Sequence, residues 1–309
     1  TRIADKRDDL IALTQELIRI PTLNPPGENY RDICDYLDRR LSAHGFATQL
    51  VRAFDAPGDC EKYPRWNIVA RRDGAHAGEC VHFNSHTDVV EVGKGWTTDP
   101  FGGDLIDGKI YGRGACDMKG FVAAALAFAP RYAKLDLKRP VHFAFTYDEE
   151  TGCLGAQQLV KELAKRETRP GVVIIGEPTE MRIIEGHKGC YEYATHFTGL
   201  EGHGSGPDRG VNAVHYAVRY ITRLLELGAE LQRSPPVAST FEPPWTTVQV
   251  GRIEGGIARN VIAGNCVVDW EMRPVQEADA DHVTSGLQAY CRDELLPAMR
   301  AIAPDADIR

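Results

Sequence analysis

Apolar residues recur along this chain first at helical and then at strand spacing. Between residues 5 and 20, Leu10, Leu13, Leu17 and Ile20 fall on one helical face, and Pro21 prevents continuation. A rigid loop, Thr22-Leu23-Asn24-Pro25-Pro26-Gly27, leads to a second helix from Tyr30, with Ile33, Leu37 and Leu41 as its apolar stripe and Gly45 as its C-terminal cap. Residues 67–70 and 80–84 read as strands, and Arg71-Arg72-Asp73-Gly74 between them as a hairpin turn. The stretch 93–114, rich in Gly, Asp and aromatic residues, reads as a long ordered loop, a feature that often carries function. An alanine-rich helix is expected over 118–129, a strand over 141–147, a helix over 156–164 and a strand over 172–175.

Past Lys188 the pattern changes. Residues 191–198 alternate as a strand, and 211–227 form an amphipathic helix with Val214, Ala217, Val218, Ile221, Leu224 and Leu225 on one side. Strands are expected over 246–253 and 261–272, and a last helix over about 279–301. The order β-α-β-β-α describes a small sandwich with helices on one sheet face, a second domain whose free edge or helix face offers a dimerisation surface.

The first half is an α/β pattern in which three strand-like runs end in ionisable residues. The run 80–84 leads into His86 and Asp88, the run 141–147 into Asp148-Glu149-Glu150, and the run 172–175 into Gly176-Glu177. Asp117 opens the helix between two of them, where a carboxylate is favoured by the positive helix end. Ligands of such sheets gather outside the carboxyl ends of the strands, so His86, Asp88, Asp117, Glu149, Glu150 and Glu177 call for a common site. In an extended segment positions i and i+2 share a face, so Asp88 can fix one imidazole nitrogen of His86 while the other binds a metal. A His and carboxylate set without paired cysteines favours zinc, cobalt or manganese in a hydrolytic site. Adjacent Glu149 and Glu150 point to opposite sides, so one can bind metal while the other takes a proton from water.

Blander readings stand beside these. Glu149-Glu150 alone would be a solvated strand end, and His82 and His142, inside apolar strands, read as hydrogen-bonded core or surface histidines rather than ligands. Gly202-His203-Gly204-Ser205-Gly206-Pro207 reads on composition as a turn, and the glycines of 112–120 lack phosphate-loop spacing.

Composition narrows the partners. The 309 residues suffice for two domains, and no apolar run approaches a membrane span, the best covering 121–130. The first residues, Thr1-Arg2-Ile3-Ala4-Asp5-Lys6-Arg7, show no signal-peptide pattern. Net charge is −8 with no basic block, which argues against nucleic acid. Eight scattered cysteines without a C-x-x-C pair read as reduced thiols, so the cytoplasm is the expected compartment.

The segments Ser85-His86-Thr87-Asp88, Tyr111-Gly112-Arg113-Gly114-Ala115-Cys116-Asp117-Met118-Lys119-Gly120, Asp148-Glu149-Glu150-Thr151-Gly152 and Gly176-Glu177-Pro178-Thr179 together resemble the M20 family of metallo-aminoacylases and peptidases. Within it the chain is most similar to the acetylornithine deacetylase branch, through residues 117–125, 202–214 and Phe241-Glu242-Pro243-Pro244-Trp245-Thr246-Thr247 with Gly255-Gly256 and Arg273-Pro274. The resemblance implies a zinc-peptidase-like α/β catalytic domain, its mixed and largely parallel sheet lying between helices, over residues 1–186. A lid and dimerisation domain would follow over 187–303, with a return to the catalytic domain beginning at 304–309.

It also implies roles. His86, Asp117 and Glu177 would bind one metal, and Asp117 would bridge to a second that Glu150 also binds. Asp88 would orient His86, and Glu149 would be the general base that activates the attacking water and later protonates the leaving amine. His203 would reach the partner subunit's site to stabilise the oxyanion, and Asn260 and Arg273 would hold substrate, the guanidinium clamping an α-carboxylate. The peptide after Asp117 would be cis. The implied cofactors are two divalent ions, zinc or cobalt, and the implied partners a small N-acylated amino acid and a second copy of the chain. The implied reaction is hydrolysis of N-acetylornithine, with succinyl-diaminopimelate, another N-acyl amino acid or a dipeptide as alternative substrates. The family's catalytic domain resumes after the lid and supplies a further histidine, whereas none follows His282 here. A C-terminally shortened chain with an incomplete second metal site is therefore the expectation, and a non-catalytic binding or dimerisation protein is the alternative from another class.

Overall fold

The computed structural model describes residues 3–165 and 169–309. The chain divides into two compact units, Thr1–Arg182 and Ile183–Arg309, slightly upstream of the 186/187 boundary expected from sequence.

In the first unit, helices α1 (Arg7–Ile18) and α2 (Tyr30–Ser42) precede strands β1 (Ala47–Arg52), β2 (Trp66–Arg72) and β3 (Glu79–His86). Then come β4 (Asp104–Ile106), β5 (Lys109–Tyr111), α3 (Gly120–Ala133), β6 (Val141–Thr146), α4 (Leu154–Leu163) and β7 (Arg169–Ile175). Among the described residues the main sheet has the order β1-β2-β6-β3-β7. β1–β2 and β2–β6 are antiparallel, while β6–β3 and β3–β7 are parallel. The sheet is thus mixed but not largely parallel, which corrects that expectation. The hairpin expected at Arg71-Arg72-Asp73-Gly74 is absent from the described pairings because β6 lies between β2 and β3 and bonds to both. Conversely, the stretch read as loop contains the β4–β5 hairpin, turned by Asp107 at φ 48° and Gly108 at φ 76°. Positive φ at both central positions is what a two-residue hairpin with right-handed strand twist requires, and Asp-Gly supplies it cheaply.

Every residue of β6 is buried because both sheet faces are covered. Val141, Phe143 and Phe145 join Ile68, Ala70, Leu37, Leu41, Val122 and Leu126 in a core shared with α1, α2 and α3. On the opposite face Ala144 and Val69 pack against Leu159 of α4. At the sheet edge, β7 leaves Val172, Val173, Ile174 and Ile175 exposed.

The second unit contains β8 (Tyr191–Thr198), β9 (Gly202–His203), α5 (Ala213–Arg233), β10 (Thr247–Gly255), β11 (Val261–Ile262) and β12 (Asn265–Arg273). It ends with α6 (Glu277–Tyr290), α7 (Leu296–Arg300) and β13 (Asp307–Ile308). The antiparallel sheet order is β10-β12-β8-β13, and β9 pairs with β11 in a separate ribbon. Alternation along β12 turns Cys266, Val268, Trp270 and Met272 inward against Ala217, Tyr220, Leu224 and Leu287. The single helix expected over 279–301 is interrupted by a wide turn at Cys291–Leu295. Pro297 explains the interruption, since it lacks the N–H that a regular helix would bond four residues back. Residues 304–309, expected to begin a return to the first unit, instead place β13 against β8, pairing Asp307 with Thr198 and Ile308 with Phe197. The alternating core of β8 offered an open edge that this short segment fills.

Candidate metal centre

Parallel strands β6, β3 and β7 bring their carboxyl ends to one side of the sheet. His86 closes β3, Glu149 and Glu150 follow β6, and Glu177 follows β7. Asp117 arrives from the wide turn Ala115–Lys119 that precedes α3, and the Asp117–Met118 peptide is cis.

His86 is nearly fully buried and its two nitrogens are differently engaged. Nδ1 lies 3.0 Å from the backbone oxygen of Asp88, and since a carbonyl can only accept, this nitrogen carries the proton. Nε2 is therefore the nitrogen that could ligate a metal. It faces Asp117 Oδ1 at 3.0 Å, Glu149 Oε2 at 3.7 Å and Glu177 Oε1 at 3.8 Å. Two triads, His86–Glu149–Glu177 and His86–Asp117–Glu150, each place their ligand-type atoms within 4.8 Å of one another.

Asp88 makes contacts beyond the one to His86 expected from sequence. Its carboxylate lies 3.5 Å from Nδ1, farther than its own carbonyl, but it accepts from Asn24 Nδ2 (3.0 Å), Glu149 N (3.2 Å) and Glu150 N (3.1 Å). This fully buried carboxylate therefore pins the backbone that presents both glutamates. Beneath it, Asp148 accepts from Tyr30 Oη at 2.6 Å and from Arg65 Nε at 2.8 Å. Asn24, Tyr30, Arg65 and Asp148 were not singled out from sequence. The only hint was the position of Asp148 in the acidic triplet and of Asn24 in the proline-rich loop.

Burial pulls the His86 imidazole down, but its bonds to Asp117 and Asp88 and the charges of Asp88 and Glu149 outweigh this and hold it well above the usual range. The hydrogen bond to His86 holds Asp117 below the usual carboxylate range. Burial, then repulsion from Asp117 and other carboxylates, pushes Glu150 up to about 7, and Glu177 is raised for the same reasons. A half-buried group of carboxylates around one imidazole fits a divalent cation, which would neutralise that repulsion through donors zinc accepts.

His203, Asn260 and Arg273 lie in the second unit. His203 Nδ1 is 2.8 Å from Ser205 Oγ, and the neighbouring Gly204 N donates to the backbone oxygen of Asn260 at 2.8 Å, so the β9–β11 ribbon sets these two residues side by side. Arg273, at the end of β12, donates from Nη2 to Glu271 at 2.9 Å.

Residues 82–303 match the family model described as peptidase family M20/M25/M40. The chain belongs to that family. The matched stretch of this M20 chain includes every residue expected at the site, from His86 to Arg273. Membership places it among the metallo-amidohydrolases. Acetylornithine deacetylase of Myxococcus xanthus is 37% identical over 276 residues, covering 87% of this chain and 69% of the relative. The enzyme of the same name from Pasteurella multocida (strain Pm70) is 31% identical over 289 residues, covering 92% and 72%. Among solved structures, the di-peptidase Dug1p of Saccharomyces cerevisiae matches with a TM-score of 0.72 at 17% identity, over 99% of this chain and 77% of that one. The M20 family metallo-carboxypeptidase Sso-CP2 of Sulfolobus solfataricus gives 0.70 at 17%, over 97% and 77%. These two establish the fold. Among the described residues, no helix is long and apolar enough to cross a membrane.

Proposed function

We propose that this M20 chain removes the acyl group from a small N-acylated amino acid, with N-acetylornithine as substrate and acetate and ornithine as products. The observation that carries the reading is Glu149, half-buried beside His86 Nε2 with its backbone fixed by Asp88. The 31–37% identity to acetylornithine deacetylases over most of the chain supports the choice of substrate.

His86, Asp117, Glu150 and Glu177 would hold divalent cations, zinc or cobalt. Bound there, such ions polarise the amide carbonyl and make water more acidic. Glu149 takes the proton from the attacking water as the carbon–oxygen bond forms, and returns it to nitrogen as the carbon–nitrogen bond breaks. One proton thus shuttles through one carboxylate. Asp88 keeps that carboxylate in place and keeps His86 in the tautomer whose Nε2 is free to bind. Arg273 clamps the substrate carboxylate, which competes with Glu271, and Asn260 steadies it. His203 donates to the oxygen that gains negative charge, acting in the partner subunit of a homodimer formed through the second unit. Eight free thiols suit a reducing compartment, and the reaction is assigned to the cytoplasm.

A panel of N-acetylornithine, N-succinyl-diaminopimelate and a dipeptide, assayed with metal-loaded protein, tests the reading. The acetylated substrate should have the highest kcat/KM by about tenfold or more, since a pocket shaped for one acyl group discriminates by this order. Faster cleavage of the succinyl compound or dipeptide would overturn the substrate assignment.

A further inference from the structure

A second group of ligand-type side chains lies away from the strand ends, on the sheet face that carries Ala144. His82 of β3 and His142 of β6 are directly opposite in the parallel register, and Cys80 sits two residues before His82 on the same face. Cys80, His82 and His142 are only 2%, 4% and 1% exposed, and one ligand atom from each lies within 4.8 Å of the other two. Read from sequence, the histidines were core or surface residues satisfied by hydrogen bonds. Instead, His82 Nδ1 is buried with no hydrogen-bond partner among the described residues. A buried polar atom without a partner is costly, so a nitrogen in this position is suited to bind an ion.

We propose that Cys80, His82 and His142 form a second metal site, independent of the strand-end cluster, that binds a borderline-soft divalent ion such as zinc. One sulfur and two imidazole nitrogens match that class, whereas magnesium and calcium require oxygen donors absent from this triad. Burial holds the His82 imidazole below its usual value, which keeps it neutral, the form that ligates. Ion binding would expel the Cys80 proton, and the neighbouring Arg71 favours the resulting thiolate. Arg71 also repels a cation, although its charge is shared with Asp73 at 2.6 Å. The ion therefore binds here more weakly than among the carboxylates. Its effect would be to tie β3 to β6 about 13 Å upstream of His86, four residues along the strand at roughly 3.3 Å each.

Cobalt distinguishes the two sites, because a thiolate ligand gives a near-ultraviolet charge-transfer band that carboxylates and imidazole do not. Asp117→Ala/Glu177→Ala protein, with the strand-end cluster disabled, should retain one cobalt ion per chain and show this band. Cys80→Ser or His142→Asn in that background should abolish both. Cys153→Ser and Cys190→Ser must leave them unchanged, since the Cys153 thiol lies 3.6 Å from Glu149 and Cys190 lies within ligand reach of Glu192 and Glu271, so these two are competing sources of sulfur. No ion and no band in the double variant, or a band that survives Cys80→Ser, would overturn the proposal. Should Cys80→Ser and His142→Asn fail to fold, alkylation of Cys80 in the double variant, followed by mass spectrometry, decides the matter. Zinc should slow it at least tenfold, and an unchanged rate refutes the site.

Discussion

Arg65 and Asp148 form an ion pair beside the turn that presents Glu149 and Glu150, with side chains only 4% and 2% exposed and an Nε to Oδ2 distance of 2.8 Å. At that separation the Coulomb attraction is about 6 kcal/mol for an effective dielectric constant of about 20. Desolvating each ion costs several kcal/mol, so the intact pair contributes little net stability. Removing one partner is different, because Arg65→Met leaves Asp148 buried with Tyr30 as its remaining side-chain donor. We expect a loss of about 3–5 kcal/mol, measured by urea unfolding in the presence of a chelator. Asp148→Asn in the same background should recover part of it, since the buried charge is gone, giving a strongly non-additive double-mutant cycle. The pH dependence fixes the sign. Burial raises the Asp148 pKa above its ordinary value, despite Tyr30 and Arg65, so the cost of ionising it is absent below the unfolded pKa and grows as pH rises through the folded one. Without Arg65 the folded pKa rises further. The deficit of Arg65→Met should therefore shrink between about pH 7 and about pH 5. A loss below about 1 kcal/mol, additive substitutions or a deficit that grows on acidification would each refute this account.

Three other predictions concern the same region. Asp88→Asn keeps the shape but replaces an acceptor oxygen by a donor against the Glu149 and Glu150 amides, so zinc affinity should fall about 10–100-fold in competition with a chromophoric chelator. Unchanged affinity would remove Asp88 from its positioning role. At neutral pH, zinc must displace protons from His86, held well above the usual imidazole range, and from Glu150, pushed up to about 7. Affinity should therefore rise from about pH 6 to about pH 8, with about one to two protons released per ion; calorimetry in buffers of different ionisation heat measures this, and zero release contradicts it. Gly155→Ala should destabilise the first unit by about 1–3 kcal/mol in thermal melts, because a Cβ there would stand 2.3 Å from the Tyr147 backbone oxygen. A melt matching that of the parent protein would show that the turn before Glu149 can shift freely.

What the sequence disclosed was local. His86, Glu149, Glu150 and Glu177 stood out because apolar runs ended at them, and Asp117 because it opened a helix; the structure brings them within reach of one another. Hidden from that reading were contacts made across long separations. Asn24 meets Asp88 across 64 residues, Arg65 meets Asp148 across 83, and Tyr30 meets Asp148 across 118. No periodicity records such pairings. The false hairpin at 71–74 has the same origin, because β6, far along the chain, takes the place between β2 and β3. The β4–β5 hairpin is a different case, since Asp107-Gly108 carried a local turn signal that the length of the surrounding glycine-rich stretch obscured. Cys80, His82 and His142 were masked by their apolar neighbours, which identify a buried strand but not what its polar side chains meet.

Release of acetate and ornithine from N-acetylornithine, followed by nuclear magnetic resonance for metal-loaded protein and its Glu149→Ala variant, tests the proposed chemistry most directly. The account predicts equal amounts of both products from the parent protein and a fall in kcat of about 100-fold or more in a variant that still binds metal, the scale expected for a lost general base. Turnover unchanged by Glu149→Ala, or no acetate from the folded and metal-loaded parent protein, would contradict it.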